Sequence, residues 1–297
     1  MIGATLVSDV LGPIGFEFFR NGLLVATLAG ALCGLVGVFV VLKGMSAIGH
    51  GLSHAIFGGF VASTLLGVNV VLGAGVWGVA SALMVGGVTR RRMIGSDAAI
   101  GVITTASFAL GLALMALSDR TARNFETVLF GSVLGVSSAD VALVVAITLF
   151  AVAVVVLNYR SLLFMTFDPE VAEVSGVSGA RLEALLMLVL AASILVTMQV
   201  LGVTLVAATL VIPAATARML TSSFSRMLVL ATALGACSGF VGMVASYHLD
   251  VQSGPAIVLV GAIMFAAVFM AAPTKGPASP RFRLAVPRQF VRLTAKR

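Results

Sequence analysis

The chain has 297 residues, 60% of them apolar and 10% charged, with a formal net charge of +7 and a mean hydropathy of +1.16. An average soluble domain carries about 25% charged residues, so a water-soluble fold could not cover this much apolar surface. The positive excess sits mostly at Lys275, Arg281, Arg283, Arg288, Arg292, Lys296 and Arg297, which face no acidic residue. Beside a membrane span, that is the pattern of a tail near anionic lipid rather than of a nucleic-acid surface.

Residues 1–21 contain Asp9, Pro13 and Glu17 but no basic start or small-residue cleavage site, and read as an interfacial lead-in. Apolar runs then predict spans at 22–42, 46–66, 70–88, 98–117, 141–157, 183–198, 201–217, 227–247 and 254–272, close to the roughly 20 residues that cross a hydrocarbon core. The expected fold class is all-α: one polytopic transmembrane helical bundle of about eight or nine helices over 22–272, followed by a basic tail over 273–297. The segment 125–140, broken by Gly131, Gly135, Ser137 and Ser138, reads as a short outer or re-entrant stretch.

From Leu182 to Ala217 no basic residue occurs; as one helix this run would measure about 54 Å against a core of about 30 Å. It must fold back, with the turn expected at 199–202. Pro213 falls inside the second arm, where it frees a backbone carbonyl and is expected to kink the helix. An outside N-terminus places Lys43, Arg90, Arg91, Arg92, Arg160, Arg181, Arg218, Arg226 and the tail cations inside, leaving Arg20, Arg120 and Arg123 outside. That asymmetry predicts a multi-pass protein of the cell membrane with a cytoplasmic C-terminal tail. The pairs Gly30/Gly34, Gly131/Gly135 and Gly235/Gly239 have the spacing of close helix contacts. Cys33 and Cys237 lie in apolar spans and behave as small hydrophobes.

Ionisable side chains are expensive in hydrocarbon and mark candidate sites. His50 and His54 are four residues apart, so a helix projects both rings from one face, within reach of one metal ion. The pair reads as part of an ion path or as histidines bonded to neighbouring helices. His248 and Asp250 stand at the outer end of the eighth span; Asp250 suits a carboxylate at an outer mouth, or a cap for the last helix ahead of Pro255. In Phe167-Asp168-Pro169-Glu170, Asp168 can cap a short loop helix, Pro169 can open it, Glu170 favours its dipole, and Gly176 ends it. Such a helix serves as an ordinary connection or as a surface for a partner. No phosphate-binding G-x-x-x-x-G-K-[ST] loop occurs, and lysine is present only at Lys43, Lys275 and Lys296. The chain has no catalytic site and no covalent cofactor is expected; any ATP is handled by a partner.

Four blocks in order carry a family resemblance: Lys43-Gly44-Met45-Ser46-Ala47-Ile48-Gly49-His50-Gly51-Leu52-Ser53-His54-Ala55; Phe167-Asp168-Pro169-Glu170 with Gly176; Leu201-Gly202-Val203-Thr204-Leu205-Val206-Ala207 with Pro213-Ala214-Ala215-Thr216-Ala217; and Ser253-Gly254-Pro255. Together they resemble the membrane permease subunits of bacterial ATP-binding-cassette importers for zinc, manganese and iron. The resemblance implies an all-helical permease of the type shared with vitamin B12 and metal-chelate importers, paired with a second copy of itself. It further implies a cytoplasmic ATPase dimer that binds ATP, an extracytoplasmic metal-binding protein, and a divalent metal as substrate. The segment with Asp168, Pro169, Glu170, Val174 and Gly176 would be the coupling helix seated in the ATPase. His54 matches the family's histidine, and His50 stands where the family usually has aspartate, which makes the site softer and less negative. Against this stand an ATP-independent carrier or channel with a histidine proton relay, an importer of a metal chelate or cofactor, and an assembly subunit with no path.

Overall fold

The computed structural model describes residues 15–90, 95–116, 131, 136–168, 172 and 178–271. Among these residues the chain forms helices and no strand: α1 (Glu17–Leu42), α2 (Ser46–Leu66), α3 (Val70–Arg90), α4 (Ser96–Ala116), α5 (Ser138–Leu157), α6 (Tyr159–Phe167), α7 (Gly179–Leu201), α8 (Val206–Leu220), α9 (Phe224–Leu249) and α10 (Ser253–Ala271). This follows from the solvent, because a backbone in lipid must satisfy its own N–H and C=O groups. The nine predicted spans coincide with α1 to α5 and α7 to α10. Among the described residues, seven helices are long and apolar enough to cross a membrane. The other two are α8, which is short, and α2, whose apolarity is diluted by His50 and His54. Helix α1 begins at Glu17, ahead of the predicted span at 22–42. The polar connection after α5 also holds a helix missing from the expectation, α6, which buries Leu162 and Met165.

An antiparallel pair, α1 and α9, forms the spine. Residues facing each other run in opposite order: Phe19 with Tyr247, Ala26 with Gly239, Gly30 with Gly235, Gly34 with Ala231, and Phe39 with Phe224. At Gly30, Gly34, Gly235 and Gly239 an added Cβ would run into a carbonyl of the opposite helix, so the spaced glycines do serve backbone approach. T-shaped ring pairs close the spine at both ends, Phe19–Tyr247 at 5.0 Å and Phe39–Phe224 at 5.8 Å.

A second unit is built on α2. It packs antiparallel to α3, with Gly78 against Ile56 and Gly59 against Trp77. It runs parallel to α4, with Gly51 against Thr104 and Gly58 against Ser107. Trp77 Nε1 donates to Ser107 Oγ at 3.2 Å and ties α3 to α4. Between spine and unit stands α7, touching α3 through Leu195 and Gly75. The expected fold-back occurs at Gly202 (φ 79°), which ends α7; residues 203–205 turn into α8, and Pro213 lies buried inside it. Ser253 Oγ, at the start of α10, donates to the Val200 carbonyl at 3.1 Å and fixes that end of the bundle. Gly131 (φ 78°) packs on Val200 and Gly202 there. A capping box between Ser137 and Asp140 opens α5; the rest of the expected 125–140 segment lies outside the described residues, as does Gly135.

The spine contact is open to a direct test. Gly30→Ala should destabilise the purified protein by about 1–3 kcal/mol, because the added methyl meets backbone that no rotamer change can relieve. Gly87→Ala, on α3 with nothing within 4 Å of the added carbon, should be neutral in the same thermal-unfolding measurement.

Candidate functional site

Lys43, Gly44 and Met45 form the turn between α1 and α2, and Gly44 adopts φ 67°, a conformation that glycine takes without a steric penalty. One turn into α2 come His50 and, a turn later, His54. Their ring centroids are 4.3 Å apart with 53° between the planes. His50 is exposed and His54 half-buried. The His54 ring meets Phe108 of α4 edge-on at 4.5 Å, and Gly58 sets that spacing by allowing α4 to lie close.

The hydrogen bonds decide which nitrogen is available. His54 Nδ1 lies 2.8 Å from the His50 carbonyl oxygen, which also accepts from Ser53 Oγ at 2.8 Å. A carbonyl can only accept, so Nδ1 carries the proton and the Nε2 lone pair of the neutral ring remains for a ligand. A backbone carbonyl that orients a histidine through its other nitrogen is the usual support of a metal-binding imidazole. Among the described residues no group of three or more His, Cys, Asp or Glu could hold a metal ion. The pair on its own would offer a metal ion two imidazoles.

His248 and Asp250 occupy another place. His248 is exposed and meets Tyr247 edge-on at 5.5 Å. Asp250 takes a left-handed conformation (φ 51°) and terminates α9, its N–H donating to the Ser246 carbonyl. It thus closes α9 instead of opening α10, which starts at Ser253 with Pro255 in its third position; the expected cap for the last helix is corrected accordingly. Asp250 lines a cavity of about 410 Å³ with Phe18, Phe19, Tyr247 and Gln252. The described residues do not gather the four expected ligands into one cluster: His50 and His54 adjoin each other on α2, while His248 and Asp250 lie at the end of α9.

Asp168 ends α6, its N–H donating to Phe164 O at 2.7 Å, and the Ala172 N–H reaches the Asp168 carbonyl at 3.1 Å. Ala172 is helical and buried. Pro169, Glu170, Val174 and Gly176 lie outside the described residues. Pro213 lies inside α8 and borders a small cavity with Thr216, Leu234, Ser238 and Gly261.

Two features escaped the sequence. Burial pulls the Lys43 ammonium below the usual lysine range, and the Glu183 carboxylate on α7 partly offsets this. At the same end, Phe224 collects rings from α1 and α6. Both depend on residues far apart in the chain, which leave no local signal.

The profile of the ABC 3 transport family matches residues 15–272. The manganese transport system membrane protein MntC of Listeria monocytogenes is 37% identical over 265 residues, covering 89% of this chain and 94% of the relative. The solved structure of PsaBC from Streptococcus pneumoniae in complex with Fab contains a chain 30% identical with a TM-score of 0.81, covering 90% of this chain and 96% of that one. A metal-chelate type ABC transporter in an inward-facing conformation shares the fold at a TM-score of 0.70 and 17% identity, covering 88% of this chain and 89% of that one.

Proposed function

This chain belongs to the ABC 3 transport family, and from that premise we propose that it is the permease subunit of an ATP-driven importer of divalent metal ions. The observation that carries the reading is the His50–His54 pair, with one oriented imidazole and a free Nε2. Two copies of the chain form the path. His50 is exposed on α2, and an imidazole on a helix of an apolar bundle faces a protein partner or a water-filled path, not hydrocarbon. A second copy bringing its own pair covers these rings and adds the ligands that the described residues lack.

A cytoplasmic ATPase dimer binds and hydrolyses the ATP, and an extracytoplasmic metal-binding protein delivers the ion. Residues 168–176, with Asp168, Pro169, Glu170, Val174 and Gly176, form the coupling helix seated in the ATPase; the bond from the Ala172 N–H to the Asp168 carbonyl supports this. Lys43, Arg181, Arg218 and Arg226 lie at or near the helix ends of that side, which fits a cytoplasmic face under the positive-inside rule. The cavity beside Asp250 then stands at the outer mouth. Metal passes from there to His54 and His50 and leaves as the helices reorient. The ion is cargo and must be held weakly enough to be released, which a sparse ligand set achieves.

A relative is named for manganese. An imidazole at position 50, where the family usually has aspartate, favours a softer ion such as zinc, since carboxylate suits manganese and imidazole suits zinc. Cellular manganese, zinc and iron, measured by elemental mass spectrometry in a strain lacking this chain, test the assignment. One of these metals should fall on deletion and return with the native chain. His54→Asn keeps a donor for the His50 carbonyl but offers no Nε2, so it should fold normally yet lower that restoration by about tenfold or more; full restoration would remove His54 from the path. His50→Asp should move the ratio of zinc to manganese taken up toward manganese by about tenfold, the effect of one ligand's preference. An unchanged ratio would mean that position 50 does not select the metal.

A further inference from the structure

At the Lys43 end of the bundle an aromatic junction stands apart from the candidate metal ligands and adjoins the motif at Asp168 through Phe167. Phe224 opens α9 and is 7% exposed. Its ring meets Phe39 of α1 at 5.8 Å and 73°, Tyr159 at the start of α6 at 5.5 Å and 45°, and Phe167 at the end of α6 at 5.9 Å and 86°. Leu162 and Met165 of α6, with Leu182 and Leu186 of α7, complete the same apolar cluster.

The positions of these rings matter. Phe167 directly precedes Asp168, where the chain enters the segment assigned above to the ATPase contact. Phe39 lies in the last turn of α1, one turn before Lys43 and the connection into α2 with its histidines. A single ring therefore touches the residue through which a push on residues 168–176 enters the bundle and the helix end that carries the His50–His54 arm. Close-packed side chains transmit displacement because they have little free volume in which to absorb it. Edge-to-face ring contacts also hold a preferred geometry that an aliphatic side chain does not reproduce.

We propose that Phe224 is a positioning residue that transmits movement of the coupling segment to α1 and so to the histidine helix; this rests on the importer reading and on residues 168–176 as the ATPase contact. The junction does not touch the metal. It sets how much metal moves for each ATP consumed.

The test is metal moved per ATP hydrolysed in proteoliposomes that hold the whole importer with its ATPase and binding protein, using zinc and manganese in turn. Phe224→Leu should lower the ratio about five- to tenfold while hydrolysis continues, through loss of three ring contacts. Phe224→Tyr, which keeps the ring, should stay within about twofold. Leu186→Ala, in the same cluster but outside the ring chain, should lower thermal stability and leave the ratio unchanged. A native ratio in Phe224→Leu, or an equal fall in Leu186→Ala, overturns the proposal. If Phe224→Leu does not assemble, Phe167→Leu is judged by the same ratio, its ring being 54% exposed and of little weight for folding. A native complex that moves neither metal overturns the importer reading itself, and the junction with it, an outcome distinct from coupled transport that ignores Phe224.

Discussion

Close backbone approach between α1 and α9 is the contact on which the remaining packing depends. In lipid the hydrophobic effect does little to press apolar helices together, and association relies on van der Waals fit between small residues. Gly30, Gly34, Gly235 and Gly239 provide it by removing the side chains that would hold the helices apart. The spine in turn offers surfaces to α7, α8 and α10: Gly37 receives Leu210 of α8, and Gly242 receives Ile257 of α10. Helix α2 is reached from the spine through one short turn at Gly44, so its attitude is bound to the end of α1.

Polar groups in the spans divide into two kinds. Most hydroxyls satisfy themselves on the carbonyl one turn earlier: Thr27 on Leu23, Ser63 on Gly59, Ser193 on Val189, and Thr216 on Ile212. Such back-bonding makes them compatible with lipid and gives them no further role. Ser81 departs from this, its buried Oγ having no hydrogen-bond partner. The histidines behave otherwise. His54 uses one nitrogen on backbone and keeps the other, and His50 leaves its ring exposed. An imidazole left without a partner on a bundle helix costs stability, which is the physical ground for proposing a role for these two residues, while the back-bonded hydroxyls, Ser63 on the same helix among them, serve structure.

Much of the fold was legible in the sequence because its cause is local. Apolar run length sets each span, the missing basic residue between Leu182 and Ala217 demands a turn, and glycine spacing marks a close face. What stayed hidden is tertiary. The spacing of Gly30 and Gly34 shows that something approaches but not that it is Gly235 and Ala231, and nothing near Phe224 announces Phe39, Tyr159 or Phe167. Helix α6 was missed since Arg160, Asn158 and Asp168 make its surroundings polar while its apolar face is only one turn wide. Within the site, four-residue spacing was enough to bring the rings of His50 and His54 together. The tautomer was not readable, because it depends on the rotamer that turns His54 Nδ1 to the His50 carbonyl.

The most direct measurement of the central claim is the X-ray absorption spectrum of zinc bound to the purified permease assembled with its ATPase. If the path runs through His50 and His54, the spectrum shows imidazole nitrogen at the Zn–N distance of about 2.0–2.1 Å, and that signal is lost in a chain with both histidines replaced by alanine. An all-oxygen shell, or an imidazole signal that survives the double replacement, would contradict it.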